Sequence, residues 1–219
     1  MASILKVDKI RVTGSDSDAI SFDGSGNITI PKNVTFNGTG GGTRILLRDV
    51  NVSSSVSAVD FVNGVSGVVL DSTYMRYEIT IDAFVPVTNG QHIRVRLSSN
   101  AGSSYFGDDA YNCITHRSYT NTSTTAQDVY YHNDYAAYNY HGLSNTANKG
   151  GGHGTLTFHN LGARRTVIHG DFWAFGETYY IMTQSLGAIE SNGDTIDAIR
   201  IYATSGDIAS GRFKLYGIK

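Results

Sequence analysis

An alternation of apolar and polar residues from Tyr74 to Leu97 constrains the fold more than any other part of this sequence. In its first half every second position is apolar, and charged or hydroxyl residues fall between: Met75, Tyr77, Ile79, Ile81, Ala83 and Val85 alternate with Arg76, Glu78, Thr80 and Asp82. The alternation resumes later in Ile93, Val95 and Leu97. A period of two is typical of a β-strand with one buried face. The stretch therefore predicts two strands, each with one face in a core.

The turn between these two strands predicts how they pair. A three-residue loop, Thr88-Asn89-Gly90, would place Val85 opposite Ile93 and keep both apolar faces on one side. Gly90 then occupies the left-handed position that closes such a loop. The same register places Asp82 opposite Arg96 on the outer face, as a cross-strand ion pair. We therefore expect a long antiparallel hairpin with one face in a core.

The composition of the chain also favours β-structure. Of the 219 residues, 40% are hydrophobic and only 16% are charged, and much of the polarity comes from Ser, Thr and Asn. Good helix formers are scarce, whereas β-formers are plentiful. The net charge of −2 comes with no basic run, so nucleic-acid binding is not expected. The single cysteine, Cys113, cannot form an internal disulfide and is expected as a small buried hydrophobe.

Residues 1–42 differ in kind from the rest of the chain. Very short apolar pieces are separated by turns, and residues 37–42 form a Gly-rich linker. Strands this short bury a core only when they stack, or when several copies wind around one axis. We predict that this segment attaches and trimerises the protein. The apolar doublets expected to face the trimer axis are Ile20, Phe22, Ile28, Ile30, Val34 and Phe36.

From residue 43 onward the apolar runs lengthen, and Gly, Asn and Asp turns separate them at intervals typical of a β-sandwich. Besides the hairpin, the predicted strands are 44–50, 56–62, 68–70, 155–158, 166–175, 177–184, 195–202 and 211–217. The predicted fold is all-β. A short N-terminal trimeric β stem or arm (1–42) precedes a jelly-roll-like antiparallel β-sandwich head domain (43–219).

Residues 98–154 interrupt this pattern with Gly-, Ser- and Thr-rich breaks, and they are rich in tyrosine. Long insertions in a compact fold are commonly functional, so we predict Tyr-rich loops here. Tyrosine suits both stacking on ligands and packing at interfaces, and both alternatives stay open. The predicted ligand- or interface-binding residues are Tyr130, Tyr131, Tyr135, Tyr138, Tyr140 and His141.

Catalytic and metal-binding motifs are weak in this sequence. None of the seven histidines has a compact metal-ligand spacing, although His153 or His159 could meet its copies on the axis of a trimer. Glycoside hydrolysis needs two carboxylates about 5–10 Å apart, and Asp108-Asp109 is more typical of a turn. We expect no catalytic residue, no metal and no cofactor, and therefore no enzyme.

The N-terminus is not expected to be a signal peptide, because Lys6, Asp8 and Lys9 interrupt its apolar residues. No run approaches the ~18 apolar residues of a membrane span, so membrane insertion is not expected. These features predict a soluble protein that is made in a cytoplasm.

The chain opens with MASILKVDKIRV and continues with GSGNITIP at residues 24–31. These motifs resemble the start of tail-fibre-type proteins, which are structural proteins of tailed bacteriophages, especially phages of marine bacteria and cyanobacteria. There, a K-V-D-x-I start leads into a thin trimeric β stem. The run RILL of residues 44–47 and the closing GRFKLYGI of residues 211–218 resemble the β-sandwich heads of such fibres and of head-decoration proteins.

The resemblance implies a virion protein made in the host cytoplasm, most often a homotrimer, and it brings no catalytic motif. Our preferred hypothesis is a short tail fibre or spike that contacts a glycan or protein of the host surface. Residues 1–42 would then contact other virion proteins. The alternative is a capsid decoration (cement) protein that stabilises the head. An enzyme that cleaves surface polysaccharide is a third hypothesis.

Overall fold

The computed structural model describes residues 9–11, 18–22, 28–29, 44–107, 109–120, 125–133, 136–137, 142–146, 151–162, 165–176, 181–190 and 192–219. The chain divides into two compact units, residues 1–42 and residues 43–219. Throughout the described ranges the regular elements are β-strands, and every strand pairing is antiparallel. The all-β prediction is therefore confirmed.

The first unit contains a small three-stranded sheet. Its strands are β1 (Lys9–Arg11), β2 (Asp18–Phe22) and β3 (Ile28–Thr29), and they are hydrogen-bonded in that order. Of the predicted axial residues, Ile20 and Phe22 lie on β2, and Ile28 lies on β3 opposite Phe22. Ile30, Val34 and Phe36 lie outside the described residues. Trimerisation stays a prediction.

The second unit is built from the remaining strands. In chain order they are β4 (Arg44–Val52), β5 (Ala58–Val62), β6 (Arg76–Pro86), β7 (Ile93–Ser98), β8 (Tyr111–Thr120), β9 (Thr125–His132), β10 (Ala136–Ala137), β11 (Gly152–His159), β12 (Val167–Ala174), β13 (Ile181–Glu190), β14 (Ala198–Ala203) and β15 (Ile208–Ile218). They form an eight-stranded sheet, β4-β15-β6-β11-β12-β13-β8-β9, and a four-stranded sheet, β10-β7-β14-β5.

The apolar faces of these two sheets share one core, which gives the unit a sandwich-like architecture. Fully buried members from both sheets include Phe61, Val95, Ile199, Ile81, Phe158 and Phe213. Tyr111 of β8 links the sheets, because its hydroxyl accepts a hydrogen bond of 2.8 Å from the Leu97 N–H of β7. Cys113 is buried in this core, as predicted.

The predicted hairpin of residues 74–97 is wrong. Strand β6 pairs with β11 and β15 in the eight-stranded sheet, whereas β7 pairs with β10 and β14 in the four-stranded sheet. Gly90 does have the predicted positive φ, 76°, but its turn carries the chain from one sheet to the other. Asp82 therefore lies opposite Arg212, and Arg96 lies opposite Arg200. Alternation alone could not predict this, because two strands that face each other across a core show the same pattern as a hairpin.

The alternation of β6 changes phase at a β-bulge. Two residues of β6, Asp82 and Ala83, lie opposite the single residue His153 of β11. Ala83 has a φ of 52°, in the left-handed region, and is exposed. Phe84 is fully buried instead, and Val85 is half-buried. The predicted inward positions of Ala83 and Val85 are therefore wrong, because the bulge turns the larger Phe84 into the core.

Other predicted elements agree only in part. Predicted strands 44–50, 56–62, 155–158, 166–175, 195–202 and 211–217 overlap β4, β5, β11, β12, β14 and β15, whereas 177–184 meets β13 only from residue 181. Residues 68–70 are not a strand, although Val68 and Leu70 are buried. Met75, which precedes β6, was expected in the core but is 72% exposed. Residues 98–154, predicted as loops, contain β8, β9 and β10.

Candidate functional site

The face of the eight-stranded sheet that points away from the core is referred to here as the outer face. Along β8, β12 and β13, buried and exposed residues alternate. Residues directly opposite each other in neighbouring antiparallel strands lie on the same face. The pairings therefore bring together, on the outer face, His169, Asp171 and Trp173 of β12, Ser185 and Gly187 of β13, and Asn112, Ile114, His116 and Ser118 of β8.

Large apolar side chains are exposed on this part of the outer face and directly after β12. The exposed fractions are 52% for Ile114, 57% for Val129, 64% for Tyr131, 50% for Trp173 and 37% for Phe175. Ile114 lies opposite Tyr131 in the β8–β9 pair, so these two side chains are neighbours. Single exposed hydrophobes are ordinary, but several on one sheet face indicate a surface that contacts something else.

A trough crosses the outer face between β12 and β8, with β13 as its floor. Its outward side chains are Asp171 and Trp173 of β12, Ser185 of β13, and His116 and Ser118 of β8, and its volume is about 290 Å³. We refer to these five residues as the outer trough. Asp171, Ser185 and His116 lie in one row across the three strands. The trough combines a flat aromatic wall with several hydrogen-bonding groups.

The floor of the outer trough is low because β13 carries small residues at its outward positions. Ser185 lies between Asp171 and His116, and Gly187 lies between His169 and Ile114. A Cβ atom added to Gly187 would meet no heavy atom within 4 Å. The surface above Gly187, two residues along β13 from Ser185, is therefore open.

The indole of Trp173 is held in place by its neighbour on β11. The ring of His153 stacks on the indole, with 4.3 Å between centroids and 10° between planes. Nδ1 of His153 in turn accepts a hydrogen bond of 3.2 Å from the N–H of Ala83, the residue at the β-bulge. Asp82 lies near the same nitrogen, with its Oδ1 at 3.9 Å. The bulge therefore fixes the imidazole, and the imidazole supports one face of the indole.

The two predicted tyrosines on β9 lie on opposite faces of the sheet. Tyr131 is on the outer face, and its hydroxyl donates a hydrogen bond of 2.7 Å to Oδ1 of Asn112. Tyr130 is half-buried on the other face, and its hydroxyl accepts a hydrogen bond of 3.0 Å from Arg117. The other predicted binding residues, Tyr135, Tyr138, Tyr140 and His141, lie outside the described residues.

Arg117 forms a buried charged cluster with its neighbours on the core side of the β8–β9 pair. Its guanidinium lies 4.4 Å from the ring centroid of Tyr119 and 5.3 Å from that of Tyr130. The carboxylate of Asp128 on β9 forms an ion pair with it. These contacts give Tyr130 a structural role in this unit.

The two histidines considered for a metal site have other partners. His153 supports Trp173, and His159 stacks on His169 with 5.2 Å between ring centroids. Burial, and then the positive potential of His169 and Arg76, lower the pKa of His159 below its ordinary value. Among the described residues, no group of three or more His, Cys, Asp or Glu side chains is placed to hold a metal ion.

The carboxylate pair considered for catalysis is described only in part. Asp109 lies in a turn with a φ of 63°, and Asn133 donates a hydrogen bond of 2.6 Å to its carboxylate. Asp108 lies outside the described residues. Within the outer trough, Asp171 is the one carboxylate of the lining set.

The outward face of the four-stranded sheet is built differently, from arginines that have acidic or aromatic partners. Arg200 makes two hydrogen bonds, of 2.8 and 2.7 Å, to the carboxylate of Asp60. Its guanidinium also lies 4.0 Å from the ring centroid of Tyr105. Burial, and then the charge of Asp60, raise the pKa of Tyr105 to about 12. Arg200 and Asp60 thus satisfy each other, and the Tyr105 ring packs on the guanidinium, which favours a structural role.

The outer trough was not predicted from the sequence. A usable signal was present, because His169, Asp171 and Trp173 occupy alternate positions of a predicted strand and the chain has a single tryptophan. Alternation of this kind indicates that the three side chains share an outward face. It could not indicate that small residues of β13 and residues of β8 lie beside them, because those strands are distant in sequence.

In the part of the chain that the structure describes, no helix has the length and apolarity needed to cross a membrane. No protein-family model matches this sequence, and no curated protein or solved structure is significantly similar to it.

Proposed function

We propose that this chain is a tailed-bacteriophage virion protein of the short tail-fibre or spike type, in which residues 43–219 contact the host surface. The observation that carries the proposal is the exposed apolar and aromatic side chains on the outer face, above all Ile114, Tyr131 and Trp173. A sheet face with such residues indicates recognition of a partner. The resemblance of both chain ends to phage fibre proteins is the reason for proposing that the particle is a tailed bacteriophage.

Residues 1–42 are proposed to attach the protein to the virion and to trimerise it. The described strands of this unit have two to five residues each. A sheet of such short strands gains stability when further copies cover it. The trimeric stem and the jelly-roll-like topology of the head domain belong to this proposal.

The first experiment is electron microscopy of virus particles labelled with an antibody against residues 43–219. Label at the tail or its fibres is the expected result, and label over the head contradicts the fibre hypothesis.

A second experiment replaces Tyr135, Tyr138 and Tyr140 by Ala. Weaker adsorption to host cells with normal assembly is expected, and unchanged adsorption contradicts a role of these tyrosines in host contact.

The rival proposal is a capsid decoration protein, and the position of β9 favours it. This strand ends the eight-stranded sheet, and its outward Val129 and Tyr131 are well exposed. An edge strand with apolar outward residues suits contact with a neighbouring subunit. Under this rival, deletion of residues 1–42 lowers the thermal stability of virus heads and leaves host adsorption unchanged.

A further inference from the structure

We propose that the outer trough binds a neutral saccharide, with the indole of Trp173 as the stacking platform. This inference rests on the proposed contact with the host surface, since it names the class of molecule that is contacted. Trp173 is half exposed at an outward position of β12 and forms one wall of the trough. Sugar rings present apolar C–H faces and polar hydroxyl edges, and a flat aromatic ring beside hydrogen-bonding groups complements both.

The polar groups beside Trp173 are of the kinds that hydroxyl groups need. Asp171 is the next outward residue of the same strand, and Ser185 and His116 follow in the same row across the sheet. A carboxylate accepts hydrogen bonds from adjacent hydroxyls, whereas serine and neutral histidine both donate and accept. Because the set contains a carboxylate, which repels anions, and neither lysine nor arginine, the trough favours neutral over anionic sugars.

The stacking platform is fixed before any ligand arrives. His153 stacks on the side of the indole toward β11, which leaves the side toward β13 to line the trough. The hydrogen bond from the Ala83 N–H holds the imidazole in that orientation. A fixed aromatic ring loses little conformational entropy on binding, so His153 is a positioning residue.

Gly187 extends the space that a saccharide can occupy. Glycine in the interior of a strand costs stability and is common where another group approaches closely. Nothing within 4 Å would oppose a Cβ atom at this position, so packing inside the protein does not explain the glycine. The floor from Ser185 to Gly187 adds about 7 Å along β13, at ~3.3 Å per residue, which is room for a further sugar unit.

The single tryptophan of the chain makes the proposal directly measurable, because intrinsic tryptophan fluorescence reports on Trp173 alone. The full chain is first tested on an array of immobilised neutral oligosaccharides that includes maltose, lactose and N,N′-diacetylchitobiose. Sugars that bind are then titrated in solution while Trp173 fluorescence is recorded. A saturable change in fluorescence is expected, whereas no binding to any member of the array overturns the proposal.

Matched glycine variants test whether the sugar lies in the trough. Gly187→Val fills the open space above β13, and we expect affinity to fall at least about tenfold. Gly107→Val is the control, because a Cβ atom there also meets nothing within 4 Å and Gly107 lies on none of the strands that form the trough. Circular dichroism and thermal unfolding verify that both variants fold. Equal loss of affinity in both variants, or in neither, contradicts a saccharide that extends from the trough over Gly187.

The positioning role of His153 has its own readout. His153→Ala is expected to lower the steady-state fluorescence anisotropy of Trp173 and to weaken saccharide binding. His153→Phe keeps a stacked ring and is expected to restore both. If the two variants behave alike in anisotropy and binding, stacking by residue 153 does not position the indole.

Adsorption of virus particles separates failure of this inference from failure of the proposed function. If Trp173→Ala abolishes adsorption but no saccharide binds, the trough contacts a host protein: the saccharide inference fails and the host-contact role stands. If a saccharide binds in the trough but Trp173→Ala particles adsorb normally, the result supports the saccharide site. It contradicts the proposal that this site contacts the host surface.

Discussion

At the scale of single residues, two glycines of neighbouring strands have opposite tolerance for a side chain. A Cβ atom at Gly170 of β12 would lie 2.2 Å from the backbone oxygen of Thr155, which cannot move without disturbing β11. Gly170→Ala is therefore expected to lower the free energy of unfolding by about 1–3 kcal/mol. Gly187→Ala, the control, is expected to be neutral or to add up to ~1 kcal/mol. Urea denaturation measures both, and an equal effect at the two positions contradicts the packing described.

A second prediction at this scale concerns the pH dependence that His159 contributes. Its folded-state pKa is lowered by burial, then by His169 and Arg76. Above the ordinary histidine pKa of ~6.5, His159 is neutral in both states and its contribution to stability is fully present. As the pH falls below the ordinary pKa, the imidazole is protonated in the unfolded chain but stays neutral in the folded chain. The contribution of His159 to stability is therefore lost progressively until the pH reaches the folded-state pKa.

His169→Gln removes one of the three causes of this shift. The pKa of His159 is then expected to move toward its ordinary value, and the loss of stability as the pH falls below about 6.5 is expected to shrink. Ring-proton NMR follows the titration, and denaturation midpoints follow the stability. His116→Gln, on β8, serves as the control. An unchanged His159 titration in His169→Gln contradicts the coupling of the stacked pair.

At the scale of elements, the β8–β9 pair encloses a charge that its neighbours must satisfy. Arg117 is buried, and Asp128 is its ion-pair partner across the two strands. Asp128→Asn removes the partly exposed carboxylate and leaves the buried guanidinium without a compensating charge. We therefore expect the free energy of unfolding to fall by about 1–3 kcal/mol. Asp60→Asn is the control and is expected to cost less, because water reaches its half-exposed partner Arg200. Thermal unfolding measures both, and equal losses contradict the difference in burial.

The same pair shows how one element serves two purposes. On the core side it carries Tyr111, Cys113 and Arg117, and on the outer face it carries Ile114 and His116. The inward residues fix the position of β8 in the sheet. The outward residues can therefore form one wall of the trough without contributing to the core. A functional surface on a rigid strand is positioned more precisely than one on a loop.

At the scale of the whole molecule, the turn at Gly90 decides which sheet each strand joins. Arg96 and Arg200 lie directly opposite each other in the four-stranded sheet, at a separation that suits a disulfide. The double variant Arg96→Cys/Arg200→Cys is therefore expected to cross-link under mild oxidation. Asp82→Cys/Arg96→Cys is not, because these residues lie on the outward faces of different sheets. Thiol titration and non-reducing electrophoresis distinguish the two variants. Cross-linking of only the second variant would support the hairpin predicted from the sequence and contradict the two-sheet arrangement.

Local sequence patterns were sufficient to predict the all-β class, most strand positions in residues 43–219 and the burial of Cys113. These follow from local properties: alternation specifies which side of a strand is apolar, and turn residues specify where a strand ends. The positive φ of Gly90 was predictable for the same reason. The change of character near residue 42 was also visible, since it lies in the spacing of apolar residues along the chain.

Which strands are neighbours depends on contacts between distant parts of the chain, and local patterns do not predict it. Alternation states that a face is buried and not what buries it, so β6 and β7 looked like a hairpin although the core lies between them. The bulge at Ala83 depends on its pairing with β11, and the trough depends on β12, β13 and β8 lying side by side. Trp173, Ser185 and His116 are far apart in sequence, and their proximity is a product of non-local strand pairing, which no local pattern encodes.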